Sequence, residues 1–191
     1  SNISFYKSPV TQFILISSGG AERIQKLDEV SRVRDIPIVQ LNPLGILNWK
    51  YKAEEVLRQS GFDYTIIRPA GLVPTGAIED RYRFILGQGD RFAGRITRSE
   101  LAVAIVSILK SINAVNKSFE IKRDESDIIN TIATDINYDL KFIYHDNYRF
   151  IHGIDPLPKA RDPPPPVTPE RVKEILSNPQ TQAAREREKN F

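Results

Sequence analysis

The clearest hydrophobic pattern in the chain lies in residues 45–72 and predicts a helix followed by a buried strand. Asn48 is a candidate N-cap, and apolar side chains then recur on one side of a helix, at Trp49, Ala53, Val56 and Leu57. Gly61 stands where a helix ends with a positive φ. Residues 64–67 favour a strand, which Pro69 ends because proline cannot donate a backbone hydrogen bond. The pattern predicts one αβ unit of a parallel sheet.

A second strand is predicted by the uninterrupted apolar run at residues 13–16, which is typical of a central strand buried on both faces. Small residues follow this run: Ser17, Ser18, Gly19 and Gly20. In open α/β sheets ligands bind at the carboxyl ends of the strands, so this turn is a candidate ligand site. Residues 38–41 fit either a short strand or a buried loop.

The second half of the chain adds a helix and a strand to this α/β pattern. Thr97 and Glu100 form a capping box. The helix predicted from about 98 to 111 is apolar on nearly all sides, which is typical of a deeply packed helix. Residues 118–122 alternate between apolar and polar, which predicts a strand with one solvent-facing side. Residues 140–144 fit a strand or an extended docking segment.

From about residue 155 the composition changes to that of a proline-rich tail. The run Pro163–Pro166 favours polyproline II and cannot form a core. Thr168 and Pro169 match an N-cap and a first-turn proline, which predicts a short helix that ends near Leu176. Two interpretations of this tail stay open, a disordered C-terminus and a segment that docks on a partner protein.

Composition and charge narrow the chemistry that this chain can carry. The 191 residues include no cysteine, which excludes disulfides, thiol catalysis and cysteine-bound metals. The only two histidines, His145 and His152, match no familiar spacing of metal ligands, so we expect no metal. A net charge of +3 gives no strong bias towards nucleic acid, and no apolar run reaches the roughly 18 residues that span a membrane. Because methionine is absent, we expect a processed chain or a piece of a longer one.

Several segments, in this order, resemble the C-terminal half of the atypical short-chain dehydrogenase/reductase fold, in the branch with NmrA-like and plastid members: residues 13–18, 50–61, 64–71, 89–102 and 116–121. The resemblance implies a partial Rossmann-like domain, a doubly wound parallel sheet whose first four strands have no counterpart in this sequence. On this basis we expect that domain in residues 1–125, an accessory segment in 126–154 and a docking tail with a short helix in 155–191.

The same resemblance implies NADP or NAD as the cofactor and identifies candidate cofactor-binding residues: Ser17, Ser18, Lys50, Pro69, Ala70 and Gly71. The family's catalytic tyrosine would stand four residues before its lysine, at Ile46, whose side chain cannot transfer a proton. We therefore predict no catalytic residue. Lys50 has two interpretations, a ribose-binding group or a solvated helix lysine.

The glycine fingerprint that holds a dinucleotide pyrophosphate is not found in the sequence. Gly87, Gly89 and Gly94 give the nearest match, but the third glycine comes two places late. The run also precedes a capped helix as a loop and is not a turn between a strand and a helix. Without the fingerprint, the sequence predicts no helix N-terminus that presents amides to a pyrophosphate.

These features favour a non-catalytic role: a retired reductase domain that serves as a structural or assembly subunit of a larger organellar complex, in the plastid stroma or on the stromal face of a membrane. The open edge of a half sheet and the tail would contact its protein partners. An alternative is an NAD(P)H-dependent reductase whose fingerprint half is supplied by another segment or chain. A second alternative is RNA binding through an arginine-rich stretch with interleaved aromatics, Arg81, Arg83, Arg91 and Arg95.

Overall fold

The computed structural model describes residues 12–32, 34–74, 83–91, 93–109, 111–124, 135–162 and 168–177, with residues 179 and 182. Within these residues the strands are β1 (Phe13–Ile16), β2 (Tyr64–Pro69), β3 (Gly71–Val73), β4 (Phe84–Gly87), β5 (Arg95–Thr97) and β6 (Lys117–Arg123). The helices are α1 (Arg23–Lys26), α2 (Glu29–Arg32), α3 (Pro37–Leu41), α4 (Ile46–Gln59), α5 (Arg98–Ile108), α6 (Ile136–Asp139), α7 (Asp146–Ile151) and α8 (Pro169–Ser177). Short 3-10 helices occupy Pro43–Gly45, Ile112–Ala114 and Leu140–Phe142.

A four-stranded sheet in the order β1-β2-β6-β4 organises the described part of the chain. β1, β2 and β6 are parallel, and β4 runs antiparallel to β6. β3 and β5 form a separate short parallel pair. Helices cover both faces of the sheet: α5 packs on the side of Ile67 and Phe119, and α4 packs on the side of Ile66. The predicted class, α/β with a partial doubly wound parallel sheet, is confirmed.

The helix and the strand of the central unit are confirmed, but the helix begins earlier and its predicted apolar face is wrong. Trp49, Ala53 and Val56 are exposed, and the buried side consists of Leu47, Asn48, Tyr51, Glu54 and Leu57. α4 begins at Ile46 after Gly45, whose φ of 69° costs a glycine little. Asn48 is therefore not the N-cap. Its buried carboxamide oxygen accepts a hydrogen bond from Asn42 Nδ2 at 2.6 Å, which ties the helix to the turn before it. Gly61 follows the helix at a φ of 78°, as predicted.

Two strands differ from prediction in how they are covered. β1, expected as a central strand, has a neighbouring strand on one side only within the described residues, and Phe13 is 48% exposed. β6, expected to have one solvent-facing side, lies between β2 and β4, and its residues 117–121 are buried on both faces. The polar Glu120 is buried because it pairs with Arg68 of the neighbouring strand.

Two segments with ambiguous patterns are short helices. Residues 38–41 lie in α3, because Pro37 has a φ that suits the first turn of a helix. Residues 140–142 form a 3-10 helix and not a strand. The Leu140 carbonyl there accepts a hydrogen bond from the buried Lys117 Nζ at 2.7 Å. Of the expected accessory segment 126–154, the part up to residue 134 lies outside the described residues.

The capping box at the start of α5 is confirmed, but the deep burial expected for this helix is not. The Thr97 hydroxyl accepts from the Glu100 amide at 3.1 Å, and the Thr97 amide donates to Glu100 Oε2 at 2.8 Å. Val103, Val106 and Leu109 are exposed on the outer side of the helix. The reason is that the described residues place no further layer over that side.

The start of the proline-rich tail packs on its own domain. Tyr51 of α4 donates its hydroxyl to the Pro158 carbonyl at 2.7 Å, and the Arg161 amide donates to Gln25 Oε1 at 2.7 Å. α8 begins at Pro169, as predicted, and lies against α3. Residues 155–162, which were expected to dock on a partner, are therefore used within the chain, and the proline run at 163–166 lies outside the described residues.

We expect Thr97→Ala to destabilise the domain by about 1 kcal/mol, because the Glu100 amide loses its partner at the start of α5. Urea unfolding followed by circular dichroism measures the change. Thr97→Ser keeps the hydroxyl and is the matched control, so an equal loss in both variants would show that the cap contributes nothing.

Candidate functional site

A cavity of about 400 Å³, here called the strand-end cavity, opens at the carboxyl ends of β1 and β2. Five of the six predicted cofactor-binding residues line it: Ser17, Ser18, Pro69, Ala70 and Gly71. Gly19 and Gly20 of the predicted strand-end turn also line it, whereas the sequence prediction missed the rest of its lining: Ile36, Pro37, Ile38, Leu72, Ala93 and Gly94. Those residues come partly from α3 and from the loop before β5, which no sequence spacing connects to the strand ends.

Two glycines let the ends of β1 and β2 come close together. The Gly19 amide donates to the Pro69 carbonyl at 2.8 Å, and a Cβ at Gly19 would lie 3.1 Å from that oxygen. Gly20 has a φ of 91°, and its Cβ would lie 2.9 Å from Val39 Cγ2. Larger residues at these two positions would push the strand ends and α3 apart, so the glycines shape the cavity.

Lys50 lies beside the cavity and completes an interrupted part of the sheet. Parallel pairing of β1 with β2 directs the Ser17 carbonyl towards the backbone nitrogen of Pro69, which carries no hydrogen. Lys50 Nζ donates to the Ser17 oxygen at 3.3 Å in its place. The lysine is thus directed at the strand end that forms the cavity, which does not fit a freely solvated helix lysine.

The turn after β1 directs its amides at a carboxylate of the chain itself. The backbone N–H groups of Gly20, Glu22 and Arg23 donate to the buried Asp90 carboxylate at 2.8, 3.1 and 2.9 Å. Arg23 Nε also donates to the Asp90 backbone oxygen at 2.8 Å. Amides at such a turn are the groups that bind phosphate in other α/β proteins. Here these three are already paired, so they are not free for a pyrophosphate.

The position that would carry a catalytic phenol holds Ile46, which is 43% exposed at the first turn of α4. The hydroxyls of two buried tyrosines are used elsewhere: Tyr51 donates to the Pro158 carbonyl, and Tyr64, at the start of β2, donates to Asp146 Oδ2 at 3.0 Å. Burial raises the pKa of both phenols well above its ordinary value, and for Tyr64 the Asp146 carboxylate raises the pKa further. Neither tyrosine lines the strand-end cavity.

A buried ion network lies directly behind the cavity, on the α4 side of the sheet. Arg68 has no exposed surface and contacts three carboxylates: Glu54 at 2.7 Å, Glu120 at 3.1 Å, and Glu22. Two further arginines contact Glu54 and Glu22 at 2.8 and 3.1 Å: Arg58 and Arg149. Apart from the spacing of four residues between Glu54 and Arg58, sequence spacing could not predict this network, because its other members are far apart in the chain.

The network shifts the pKa values of its carboxyl groups in different directions. Burial alone would raise the pKa of Glu22, but Arg68 and Arg149 outweigh it and lower that pKa to about 2. Burial would also raise the pKa of Glu54, but Arg68 outweighs this effect and leaves the pKa below its ordinary value. At Glu120 burial dominates and raises the pKa to about 7 despite the contact with Arg68. Among the described residues, Glu120 Oε2 has no hydrogen-bond partner, which agrees with a carboxyl group that holds its proton easily.

The arginine-rich stretch is described only in part. Arg81 lies outside the described residues, and Arg83 lies 3.4 Å from Asp124. Arg91 is well exposed, whereas Arg95 is half-buried in β5. RNA binding through these residues stays a prediction.

The described residues show no metal site or membrane span. Within them, no group of three His, Asp or Glu side chains is arranged to hold a metal ion. No helix in the same part of the chain is both long enough and apolar enough to cross a bilayer.

The parallel sheet, with a cavity at the carboxyl ends of its strands, defines a Rossmann-like domain. A solved structure has the same fold: the oxidoreductase ylbE from Lactococcus lactis superposes with a TM-score of 0.53 at 18% identity, over 71% of this chain and 55% of that one. A sequence profile described as NAD(P)H-binding matches residues 6–112, more than half of the chain. The chain belongs to this NAD(P)H-binding family.

Plant proteins are similar over a shorter stretch. Protein TIC 62, chloroplastic, of Oryza sativa subsp. japonica is 32% identical over 104 residues, which are 53% of this chain and 19% of that protein. Protein TIC 62, chloroplastic, of Pisum sativum is 33% identical over 105 residues, which are 53% of this chain and 18% of that protein. The match therefore spans less than a fifth of the length of these curated relatives.

We expect Lys50→Met to destabilise the domain by about 1 kcal/mol, because the Ser17 carbonyl loses its donor. In a Pro69→Ala background the same substitution should cost less, since a backbone N–H at position 69 can donate to that carbonyl. A double-mutant cycle in urea unfolding measures the difference. Equal costs in both backgrounds would show that Lys50 does not replace the missing ladder hydrogen bond.

We expect Glu120 to make the domain less stable as pH rises from about 4.5 to 7. Its folded pKa of about 7 lies above the ordinary value of 4.5, so the folded state holds a proton that the unfolded chain releases. Stability should fall by at most ~1.4 kcal/mol per pH unit in that window and level off above it. Glu22 and Glu54, whose pKa values are lowered, act in the opposite direction below about pH 4.5.

Unfolding curves at several pH values test this expectation with Glu120→Gln, which should remove the slope between pH 5 and 7. The exposed Glu29→Gln is the control and should leave the slope unchanged. A slope that persists in Glu120→Gln would assign the effect to another group.

Proposed function

We propose that this chain is a non-catalytic subunit with an NAD(P)-binding fold, which has a structural or assembly role in a larger plastid complex. The observation that carries the proposal is the side chain at the start of α4. Four residues before Lys50, where a proton donor would stand, the chain has Ile46. An alkyl side chain cannot give a proton to a substrate carbonyl, so the fold keeps its cavity without the acid that a reduction there needs.

The neighbouring groups support the same proposal. The Lys50 amine, which would lower the pKa of a nearby phenol, donates to the Ser17 carbonyl. Tyr51 and Tyr64 are buried, hydrogen-bonded away from the cavity, and have pKa values raised by burial. A general acid works best when its pKa lies near the working pH, so these two phenols do not replace the missing one.

NADP or NAD is the proposed ligand of the strand-end cavity, with the nicotinamide end of the cofactor inside it. The cavity wall formed by Ala70 and Gly71 beside the apolar Ile36 and Leu72 suits the face of a flat ring. When bound, the cofactor would supply a hydride. The pyrophosphate has no matching groups in the turn after β1, because the amides there bind Asp90. A second polypeptide segment would have to hold the phosphates.

The cellular location in this proposal comes from the relatives. The two plant proteins that match half of this chain are named as chloroplastic. These names support a plastid location for the complex, and within the plastid we propose the stroma or the stromal face of a membrane. The role of this chain in it is that of a protein-binding subunit.

A second candidate function is an NAD(P)H-dependent reductase whose phosphate-binding half comes from another segment or chain. The observation that favours it is the cavity, which five of the six expected cofactor-binding residues line. In that case Ser18 and Lys50 would stand beside the nicotinamide.

Turnover of NADPH by the purified complex distinguishes the two functions. We expect NADPH to raise the melting temperature of the complex without being consumed in the presence of quinone or carbonyl acceptors. Ile46→Tyr should raise consumption at least ~10-fold, since general acid catalysis contributes about 10²-fold or more. Ile46→Phe lacks the hydroxyl and is the matched control. A turnover in the native complex that is lost in Ser18→Ala or Lys50→Ala would contradict the non-catalytic role and support the reductase.

A further inference from the structure

Residues 138–154, which include α7, expose a cluster of large apolar side chains. Between 38% and 73% of the surface of each of these five is exposed: Phe142, Tyr144, Tyr148, Ile151 and Ile154. Together with His152 they are here called the aromatic surface. Single exposed apolar residues are ordinary on a protein, whereas a cluster of them marks a surface that binds another molecule.

α7 turns its polar side towards the core. Asp146 and Arg149 are each 1% exposed. Asp146 accepts a hydrogen bond from the Ser118 amide at 3.1 Å, and Arg149 pairs with Glu22 at 3.1 Å. A surface helix normally buries its apolar side instead. The reversed orientation of α7 leaves the aromatic surface facing solvent on a firmly held helix, which fits a face that a second polypeptide covers.

The rings of the aromatic surface are ordered before any partner binds. Tyr144 and Tyr148 stack with their centroids 5.5 Å apart and their planes at 12°. Tyr148 also contacts the His152 ring, at a centroid distance of 4.1 Å. Side chains that are already fixed lose less conformational entropy on binding, so these rings suit a binding face.

A second cavity, of about 220 Å³, opens within the aromatic surface. Phe142, Tyr144 and Ile154 line it together with Arg91 and Gln88. The Gln88 side chain donates to the Tyr144 carbonyl at 2.9 Å and accepts from the Tyr144 amide at 3.0 Å, which fixes this wall. Small-molecule sites have roughly 300–1,000 Å³. The second cavity suits one large side chain of a partner, the kind of anchor that carries most of the binding energy in protein interfaces.

The exposed charges around the second cavity are basic. Between residues 138 and 154, all of which the structure describes, no acidic side chain is exposed, whereas Lys141 is. Arg91 lines the cavity with 72% of its side chain exposed. Asp155 lines it as well, but it is half-buried and already paired with Lys26 at 2.6 Å. Electrostatic complementarity therefore favours a partner with carboxylates.

We propose that the aromatic surface docks a segment of another protein subunit, in which acidic residues flank one large apolar side chain. That side chain fills the second cavity, and the carboxylates pair with Arg91 and Lys141. This inference rests on the proposed function in one respect, because it names the surface by which a protein-binding subunit joins its complex.

Three other occupants fit the aromatic surface less well. Nucleic acid bases stack on free ring faces, whereas Tyr148 lies between Tyr144 and His152. In a twofold pair of this chain the same basic surface stands on both sides, so like charges oppose the pair. A lipid surface would leave the second cavity unfilled.

Photo-crosslinking in the complex, purified from cells of the organism that encodes it, identifies the occupant. The reporter is Phe142→p-benzoylphenylalanine at the second cavity. The matched control is Trp49→p-benzoylphenylalanine on α4, because Trp49 is an aromatic residue of similar exposure, 57% against 67%, that does not line this cavity. We expect position 142 to crosslink to an acidic segment of another protein, which position 49 does not reach. A crosslink from position 142 only to a basic segment, a second copy, RNA or lipid, or no crosslink, would overturn the proposal.

Binding of the full chain to the crosslinked partner measures the contribution of the second cavity. Phe142→Ala should weaken binding at least ~10-fold, since it removes an apolar wall of that cavity. Trp49→Ala is the control and should bind like the native chain. Both side chains are mostly exposed, so both variants should keep the native melting temperature. Equal affinity of Phe142→Ala and the native chain would contradict the proposal.

The charges of the aromatic surface have a separate test. Arg91→Glu combined with Lys141→Glu should weaken binding at least ~10-fold at low salt, because like charges would then face each other. Arg34→Glu combined with Lys173→Glu is the matched control, since both of these residues are exposed elsewhere on the chain. An unchanged affinity in the first double variant would show that the partner segment is not acidic, and the proposal would be wrong.

The two proposals fail separately. NADPH consumption by the complex would end the non-catalytic role and leave the docking surface standing. A position 142 without a protein crosslink would end the docking surface and leave the turnover result unchanged.

Discussion

The charged guanidinium of Arg68 is buried in the middle of the sheet, and the rest of the domain is arranged around it. A buried guanidinium is tolerated only where carboxylates surround it with good geometry. They come from three separate elements, the turn after β1, α4 and β6: Glu22, Glu54 and Glu120. Because each must reach the same side chain, these elements hold one position relative to β2. Removal of Arg68 would leave three buried acids with reduced compensation, at a cost of about 3–5 kcal/mol.

The next residue, Pro69, helps to form the strand-end cavity beside this rigid centre. It removes one N–H from the ladder between β1 and β2, although the Gly19 amide still donates to the Pro69 carbonyl, and the strand-end cavity opens at these strand ends. Lys50 satisfies the carbonyl that Pro69 leaves without a partner. Lys50 thus stabilises the sheet, and the same hydrogen bond fixes the position of its amine beside the cavity. A substitution there changes both properties, which is why stability and ligand binding have to be measured together.

Local sequence signals predicted the parts of the fold that depend on local structure. The Thr97 capping box, the glycine after α4 and the αβ unit all follow from residues close together in the chain. Spacing could not predict contacts made over long distances. The alternating pattern of β6 predicts a solvent-facing side, because nothing near Glu120 in the sequence shows that Arg68 lies beside it in the fold. The turn after β1 was predicted from its position at a strand end and the residues from Pro69 to Gly71 through family resemblance, whereas the α3 wall of the cavity was not predicted.

The packing of residues 155–162 on α1 and α4 has a consequence for everything that follows them. The Arg161 guanidinium donates to the Leu27 carbonyl at 2.8 Å, so the chain is still held on the domain at this residue. A segment tethered by a short linker is present at roughly millimolar effective concentration at any surface within reach. α8 lies at such a surface, against α3, whose Pro37 and Ile38 form a wall of the cavity. A helix of another molecule that binds α3 in competition with α8 must therefore be present above this effective concentration.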